Sequence, residues 1–73
     1  MTSTDLDTPG KRIRFLRNTK EMTQESLARI VYTTQATVAR WEADEFKPNR
    51  QAQIMLAEAM GTTRVFLFGE MVA

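Results

Sequence analysis

Residues 23–42, TQESLARIVYTTQATVARWE, decide the fold of this 73-residue chain. Apolar residues recur there at intervals of three and four, which predicts two short amphipathic helices over residues 24–31 and 34–43. Thr23 is well placed to cap the first of them. The few residues between the two match the spacing of a helix-turn-helix, in which the second helix lies in the major groove of DNA.

The two predicted helices carry apolar faces that fit together. Ala28 sits at the expected crossing point, where a small side chain lets the two backbones approach closely. The residues expected to face inward are Leu27, Ile30 and Val31 on the first helix, and Val38 and Trp41 on the second.

The second helix, capped by Thr33 or Thr34, has a compact outer face suited to entering a groove. Gln35 can pair bidentately with adenine, Arg40 with guanine, and Ala36 can pack on a thymine methyl group. Thr34 is expected to contact a base or the DNA backbone. By composition alone Gln35 and Arg40 are ordinary solvated residues, and the helix-turn-helix spacing is what favours base reading.

An ordered set of residues resembles the Cro and repressor-type helix-turn-helix regulators of phages and bacteria. The set comprises Thr23-Gln24, Leu27-Ala28, Thr33-Thr34-Gln35, Val38, Trp41-Glu42, Pro48, Met60-Gly61 and Phe66-Leu67-Phe68-Gly69. The resemblance covers about residues 8–70 and implies an all-α, five-helix, lambda-repressor-like domain with its helix-turn-helix at helices 2 and 3. This family usually has Gly in the turn, where the chain has Tyr32. A left-handed backbone costs a non-glycine residue about 1–2 kcal/mol.

The resemblance also implies roles for residues outside the second helix of the motif. Arg17 and Glu42 match positions where an ion pair ties helix 1 to the end of that helix. Gln24 matches a residue that holds a phosphate at a helix N-terminus, which favours anions. The remaining phosphate contacts that the resemblance implies are Arg14, Lys47, Asn49 and Arg50.

Composition excludes several classes of function. The length allows one domain, and the absence of Cys and His removes disulfides, thiol nucleophiles and imidazole chemistry. We therefore expect no enzyme, metal, cofactor or small-molecule ligand. No apolar stretch is long enough to span a membrane and the polar start is not a signal peptide, so we expect a cytoplasmic, nucleoid-associated protein.

Charge is distributed unevenly along the chain, although the net charge is only +1. Residues 11–40 contain seven basic and two acidic side chains, whereas residues 41–73 contain three basic and five acidic ones. Such a molecule can turn a basic face towards phosphate and keep its acidic face away. Chance asymmetry in a near-neutral protein is the alternative.

The segments before the motif are predicted to be an arm and a helix. Residues 1–7 are expected to form a loose acidic arm, and the DNA-binding domain to cover residues 8–73. Thr8 and Pro9 suit the start of helix 1, which runs to about Thr19. Its expected inward residues are Ile13 and Leu16, with Phe15 beside them. Lys11, Arg12 and Arg14 are expected on or near its outer face, for phosphate contact or for solubility.

Two further helices follow the motif. Asn49 can cap helix 4 over residues 50–60, and Gly61 can end it. Thr62 or Thr63 then begins a short helix 5 that ends near residue 68. The residues expected on the buried side of helix 4 are Ile54, Leu56, Ala57 and Met60.

The C-terminal stretch, residues 65–73, is more apolar than a monomer normally leaves exposed. Leu67, with Val65 or Phe66, would suffice to close the core, and a fully buried tail is the alternative. The residues expected to form a dimer interface are Phe66, Phe68, Met71 and Val72.

These features predict a transcriptional regulator that binds double-stranded DNA, most simply a Cro-like repressor on a palindromic operator as a homodimer. Restriction–modification controllers and antitoxin-type autoregulators share this domain and remain alternatives. A protein-interaction module that has lost DNA binding is an alternative of another class. Its support is the near-neutral charge, the small Ala36 and Ala39 on the outer face of the second motif helix, and the apolar tail.

Overall fold

The computed structural model describes residues 6–69, and these form α-helices without any strand. The helices are α1 Pro9–Thr19, α2 Gln24–Ile30, α3 Gln35–Glu42, α4 Arg50–Met60 and α5 Arg64–Phe68. The predicted all-α, five-helix architecture with a helix-turn-helix at α2 and α3 is confirmed. None of these helices is long and apolar enough to cross a membrane. Most of the predicted arm and the tail residues Met71 and Val72 lie outside the described residues.

Each helix begins at a cap that the sequence provides. The cap side chains of Thr8, Thr23, Thr34, Asn49 and Thr63 each accept a hydrogen bond from a backbone N–H three residues further on. At α2 the cap is reciprocal, because Ser26 Oγ also accepts from the Thr23 backbone N–H at 3.0 Å. A cap of this kind contributes about 1 kcal/mol, so these side chains determine where the helices start.

Two residues beyond the end of each of the first three helices, a non-glycine residue has a left-handed backbone. These residues are Glu21, Tyr32 and Asp44, with φ values of 57°, 59° and 61°, whereas α4 is followed directly by Gly61 with φ 68°. After each of the three, the next backbone N–H bonds to the carbonyl five residues earlier: Met22 to Arg17, Thr33 to Ala28, and Glu45 to Arg40. This pattern satisfies helix-end carbonyls and turns the chain sharply. Tyr32 therefore does adopt the left-handed backbone that is costly for a non-glycine residue.

All five helices contribute to one apolar core. Ala28, 2% exposed, lies within it as expected at the α2–α3 contact, and Leu67 of α5 is fully buried. The other buried apolar residues are Ile13, Leu27, Val31, Val38, Trp41, Leu56, Ala57 and Met60. Leu16 and Phe68 pack against this core while partly buried.

The inward orientation predicted for Ile30 is wrong, since its side chain is 49% exposed. The buried residues of this segment are Leu27, Ala28 and Val31, which share one side of the helix. Ile30 precedes Val31 by one residue and so lies about 100° around the helix axis, beyond the edge of that side. On α4, Ile54 is likewise only partly buried.

The outer-face position predicted for Arg12 is also wrong. Its guanidinium group is partly buried, with Nε donating to the Leu6 carbonyl at 2.9 Å and Nη1 to the Leu67 carbonyl at 3.2 Å. Arg12 therefore joins the segment before α1 to α5, because backbone carbonyls satisfy its donors.

The N-terminus of α1 docks against the C-terminal end of α3. Asp44 accepts hydrogen bonds from the Gly10 backbone N–H at 2.9 Å and from the Thr8 hydroxyl. A Cβ atom at Gly10 would lie 2.5 Å from the carbonyl oxygens of both Trp41 and Glu42. Only glycine permits this approach, which sets the position of α3 relative to α1.

Candidate nucleic-acid interface

One side of α3 is buried and the other is open. Val38 is fully buried and Trp41 is 6% exposed, while the outer residues Thr34, Gln35 and Ala36 are exposed at the N-terminal end. Such a helix presents its first turn outward, as insertion into a groove requires.

Arg40 lies further along the exposed side of α3. Its Nε is 3.9 Å from Glu45 Oε1, and the two side chains are 58% and 63% exposed. Exposed pairs of this kind contribute little to stability, about 0–1 kcal/mol. The Arg40 side chain is therefore free to leave Glu45 for a base or a phosphate.

The buried end of α3 carries a carboxylate that is tied to α1. Arg17 donates to Glu42 through Nε at 2.6 Å and through Nη2 at 3.1 Å, which forms a bidentate pair. The Glu42 side chain is only 1% exposed and that of Arg17 is 12% exposed. Arg17 also donates to the Met22 carbonyl at 2.7 Å, so the pair fixes both α3 and the turn before α2.

Gln24 connects this buried pair to the exposed end of α3. Its Nε2 donates to Glu42 Oε1 at 3.0 Å, and its Oε1 accepts from Gln35 Nε2 at 2.6 Å. Arg17, Glu42, Gln24 and Gln35 thus form one continuous chain of side-chain hydrogen bonds from α1 to the first residue of α3. Sequence reasoning missed the contact between the two glutamines. The signal was that both occupy the first position of neighbouring helices.

A groove of about 500 Å³ lies between the α2–α3 turn and the loop that follows α3. Thr33 and Thr37 line one side of it, and Lys47 and Asn49 line the other. Tyr32 stands at its edge with 86% of its surface exposed. Hydroxyl groups, an ammonium group and an amide are all suited to hydrogen bonding with a phosphate backbone.

A model of the helix-turn-helix family matches residues 13–67, most of the chain. The chain belongs to this family of DNA-binding regulators. The expected Cro and repressor-type membership is confirmed. No curated protein matches this sequence.

Two solved structures of the phage P22 c2 repressor resemble this helix-turn-helix protein. One is a crystal structure in complex with synthetic operator 9T in the presence of Tl⁺. It is 26% identical in sequence, with a TM-score of 0.84, and the match covers 88% of this chain and 98% of the P22 c2 chain. The other is a solution structure of the repressor's DNA-binding domain. It is 25% identical in sequence, with a TM-score of 0.79, and the match covers 92% of this chain and 90% of that domain.

The remaining phosphate candidates of this regulator lie at two sites. Lys47, Asn49 and Arg50 are exposed in and after the α3–α4 loop. Asn49 Oδ1 is occupied as the cap of α4, accepting from the Ala52 N–H, so its amide nitrogen is the group left for a ligand. Arg14 is 63% exposed on α1, with its Nε 3.6 Å from Glu42 Oε1.

The described part of this helix-turn-helix protein provides no metal site. Residues 6–69 contain no group of three or more Cys, His, Asp or Glu side chains placed to share a metal ion. Near the exposed side of α3, polar groups converge in the hydrogen-bonded chain through Gln24 and in the groove beside Tyr32.

Proposed function

We propose that this protein is a Cro-like repressor that binds a palindromic operator as a homodimer. The observation that carries the proposal is the exposed first turn of α3, where Gln35 is held in place by Gln24. A side chain that is already oriented before binding loses little further freedom when it meets a base.

Four residues of α3 are proposed to face the bases. Gln35 reads adenine through N6 and N7, and Arg40 donates to guanine O6 and N7. Ala36 packs on a thymine methyl group, and Thr34, at the cap, contacts a base or the backbone. Arg40 has an exposed side chain with a weak partner, so it can adopt either role.

Phosphate contacts are proposed on both sides of α3. Gln24 begins α2, where free backbone N–H groups favour an anion. The other proposed phosphate contacts are Arg14, Lys47, Asn49 and Arg50, which are exposed side chains near either end of the helix-turn-helix. Such contacts supply affinity and position the protein without reading sequence.

The proposed dimer forms through the C-terminal region. Phe66 is 41% exposed and Val65 is 55% exposed on α5, while Phe68 is partly buried against the core. The proposed interface also includes Met71 and Val72, outside the described residues. Two copies joined there would place their α3 helices about 34 Å apart on one face of the DNA.

The test of base reading begins with selection of bound duplexes from a random pool. Every single base-pair substitution of the selected operator is then measured with the wild type, Gln35→Ala and Arg40→Ala. We expect each variant to flatten the preference at one position per half-site, a loss of roughly 1–3 kcal/mol of discrimination.

Lys20→Ala is the matched control for the loss of one positive charge. Lys20 lies beside Gly61, at the end of α4 remote from Arg50. We expect this variant to leave every base preference unchanged. If Gln35→Ala and Arg40→Ala weaken binding equally on all sequences, these residues anchor the protein without reading bases.

A protein-interaction module is the second candidate, favoured by the exposed apolar residues Ile30 and Tyr32 near the α2–α3 turn. A gel shift with random duplex at low salt separates the two. A helix-turn-helix repressor retards the duplex at micromolar protein through phosphate contacts alone. Absence of any retardation favours the interaction module.

A further inference from the structure

We infer that Glu42, buried at the C-terminal end of α3, is a positioning residue that selects adenine over guanine at the base read by Gln35. The inference rests on the proposed function, because it takes Gln35 to meet a base edge. It concerns the orientation of two amide groups, which the buried carboxylate controls.

The first step is the chemistry of Glu42. As an ionised carboxylate in a bidentate pair with Arg17, it has four lone-pair sites and no hydrogen to donate. Any group that bonds to it must therefore be a donor. With 1% of its side chain exposed, it is shielded from water in this position.

The second step is the orientation of Gln24. A glutamine amide has one acceptor end and one donor end, which are otherwise nearly interchangeable in shape. Because Glu42 accepts only, the Gln24 NH₂ group must face it, at 3.0 Å. The Gln24 oxygen is then the atom that faces Gln35, independently of how the amide was assigned.

The third step is the orientation of Gln35. The Gln24 oxygen accepts only, so the Gln35 NH₂ group must face it, at 2.6 Å. One N–H and the Oε1 atom of Gln35 have no partner among residues 6–69. Gln35 therefore offers one donor and one acceptor to the groove.

This pair of groups matches adenine and not guanine. Adenine presents the N7 acceptor beside the N6 amino donor, whereas guanine presents two acceptors, N7 and O6. If both amides were reversed, Gln35 would accept from Gln24 through its oxygen and present two N–H donors, which suits guanine. The carboxylate of Glu42 forbids that reversed arrangement.

Glu42→Gln removes the restriction, because a glutamine at this position can donate as well as accept. Both amide orientations of Gln24 and Gln35 then become available. We expect the preference for adenine over guanine at the Gln35 position, about 5- to 150-fold for a good bidentate pair, to fall at least about fivefold or to disappear. Preferences at the other operator positions should stay unchanged.

Two further variants separate this effect from general loosening of the fold. Arg17→Met with Glu42→Gln removes both members of the ion pair, so no unpaired charge remains in the interior, and it should show the same loss of preference. Ile13→Val trims a fully buried core residue of α1 and should lower stability without altering any base preference.

Side-chain amide spectra of the free protein provide a readout that needs no DNA. In the wild type, one N–H of Gln24 and one of Gln35 should be shifted downfield by their hydrogen bonds. Glu42→Gln should move both towards free-amide values, while Ile13→Val should leave them in place.

The outcomes are distinct. A flattened adenine preference in both Glu42 variants together with the amide shifts supports the inference. An unchanged preference in Glu42→Gln overturns it, and so does an equal loss in Ile13→Val. If Gln35→Ala alters no base preference, base reading by Gln35 fails first, and the role assigned to Glu42 fails with it.

Discussion

Tyr32 carries a backbone strain that its side chain does little to offset. Its φ is 59° and the residue is 86% exposed, so few contacts compensate for the left-handed conformation. Glycine adopts this conformation without a Cβ clash, which explains why helix ends of this type favour it.

Replacing Tyr32 separates the strain from the contribution of the ring. Both Tyr32→Gly and Tyr32→Ala remove the ring, but only alanine keeps the Cβ atom that clashes in a left-handed backbone. We expect the glycine variant to be more stable than the alanine variant by about 1 kcal/mol in urea unfolding. An alanine variant as stable as the glycine variant would show that the turn relaxes.

Because the Arg17–Glu42 pair is buried, replacing one carboxylate oxygen of Glu42 by an amide group should lower the stability of the protein. Glu42→Gln leaves the nearly buried guanidinium of Arg17 without a charged partner. We expect the free energy of unfolding to fall by more than the ~1 kcal/mol upper value of exposed pairs.

Glu45→Gln is the control for that measurement. It breaks the exposed pair with Arg40, whose atoms are 3.9 Å apart. Urea unfolding should show little change for this variant. Equal stability of Glu42→Gln and the wild type would mean that burial of the pair contributes nothing.

Individual residues show where sequence reasoning stops. Ile30 and Val31 are both apolar, and only the packing of α2 on its neighbours decides that Val31 is buried and Ile30 is half exposed. In the sequence, Arg12 stands beside Lys11 and Arg14, so it was expected to be a surface cation like them. Its carbonyl partners lie on Leu6 and Leu67, and contacts so distant along the chain leave no local pattern.

At the scale of helices, the close approach of α1 to α3 depends on Gly10. In an isolated helix Gly10→Ala would be stabilising, because alanine has the higher helix propensity by about 1 kcal/mol. Here the added Cβ would meet two backbone carbonyls at 2.5 Å. We expect a net loss of about 1–3 kcal/mol, measured by thermal or urea unfolding.

Lys11→Ala is the natural comparison, since Lys11 is the exposed neighbour of Gly10 on the same helix turn. It should be close to neutral. If the Gly10→Ala variant is more stable than the wild type, the contact between α1 and α3 can shift to accommodate the Cβ atom without a loss of stability.

The residue at the start of α4 leads to a prediction about how operator affinity depends on salt concentration. Arg50 is the first residue of α4 and is exposed. If it neutralises a phosphate, Arg50→Ala should lower operator affinity on all sequences and reduce the slope of log affinity against log salt by about 0.9. Lys20→Ala, at the other end of α4, should leave the slope unchanged. An unchanged slope in Arg50→Ala would remove this residue from the proposed contacts.

The sequence predicts where each helix begins better than it predicts which residues of a helix contact its neighbours. Cap residues such as Thr23 and Asn49 act through bonds to N–H groups three residues away, so the local sequence reveals them. The choice between Thr33 and Thr34, and between Thr62 and Thr63, depended on turn geometry. The contact of Gln24 with Gln35 depended on how two helices cross, which periodicity does not specify.

For the whole molecule, the central prediction is self-association through α5. Wild-type protein at tens of micromolar should sediment as a dimer, more completely with palindromic DNA. Phe66→Ser should weaken the dimer because it removes an apolar side chain that is 41% exposed in the single chain.

Ile30→Ser is the matched control, since Ile30 is a similarly exposed apolar residue on α2. It should leave sedimentation unchanged. Strictly monomeric wild type with and without DNA, or undisturbed dimers of Phe66→Ser, would contradict the proposed interface.

The Arg12 guanidinium brings the two ends of the described chain side by side, since the carbonyls of Leu6 and Leu67 bond to the same side chain. A covalent link between the two ends of the described segment is therefore compatible with the fold of residues 6–69. Closing the backbone would remove conformations from the unfolded chain alone. By loop-closure entropy it would stabilise the native state by roughly 4 kcal/mol, with the exposed side of α3 untouched.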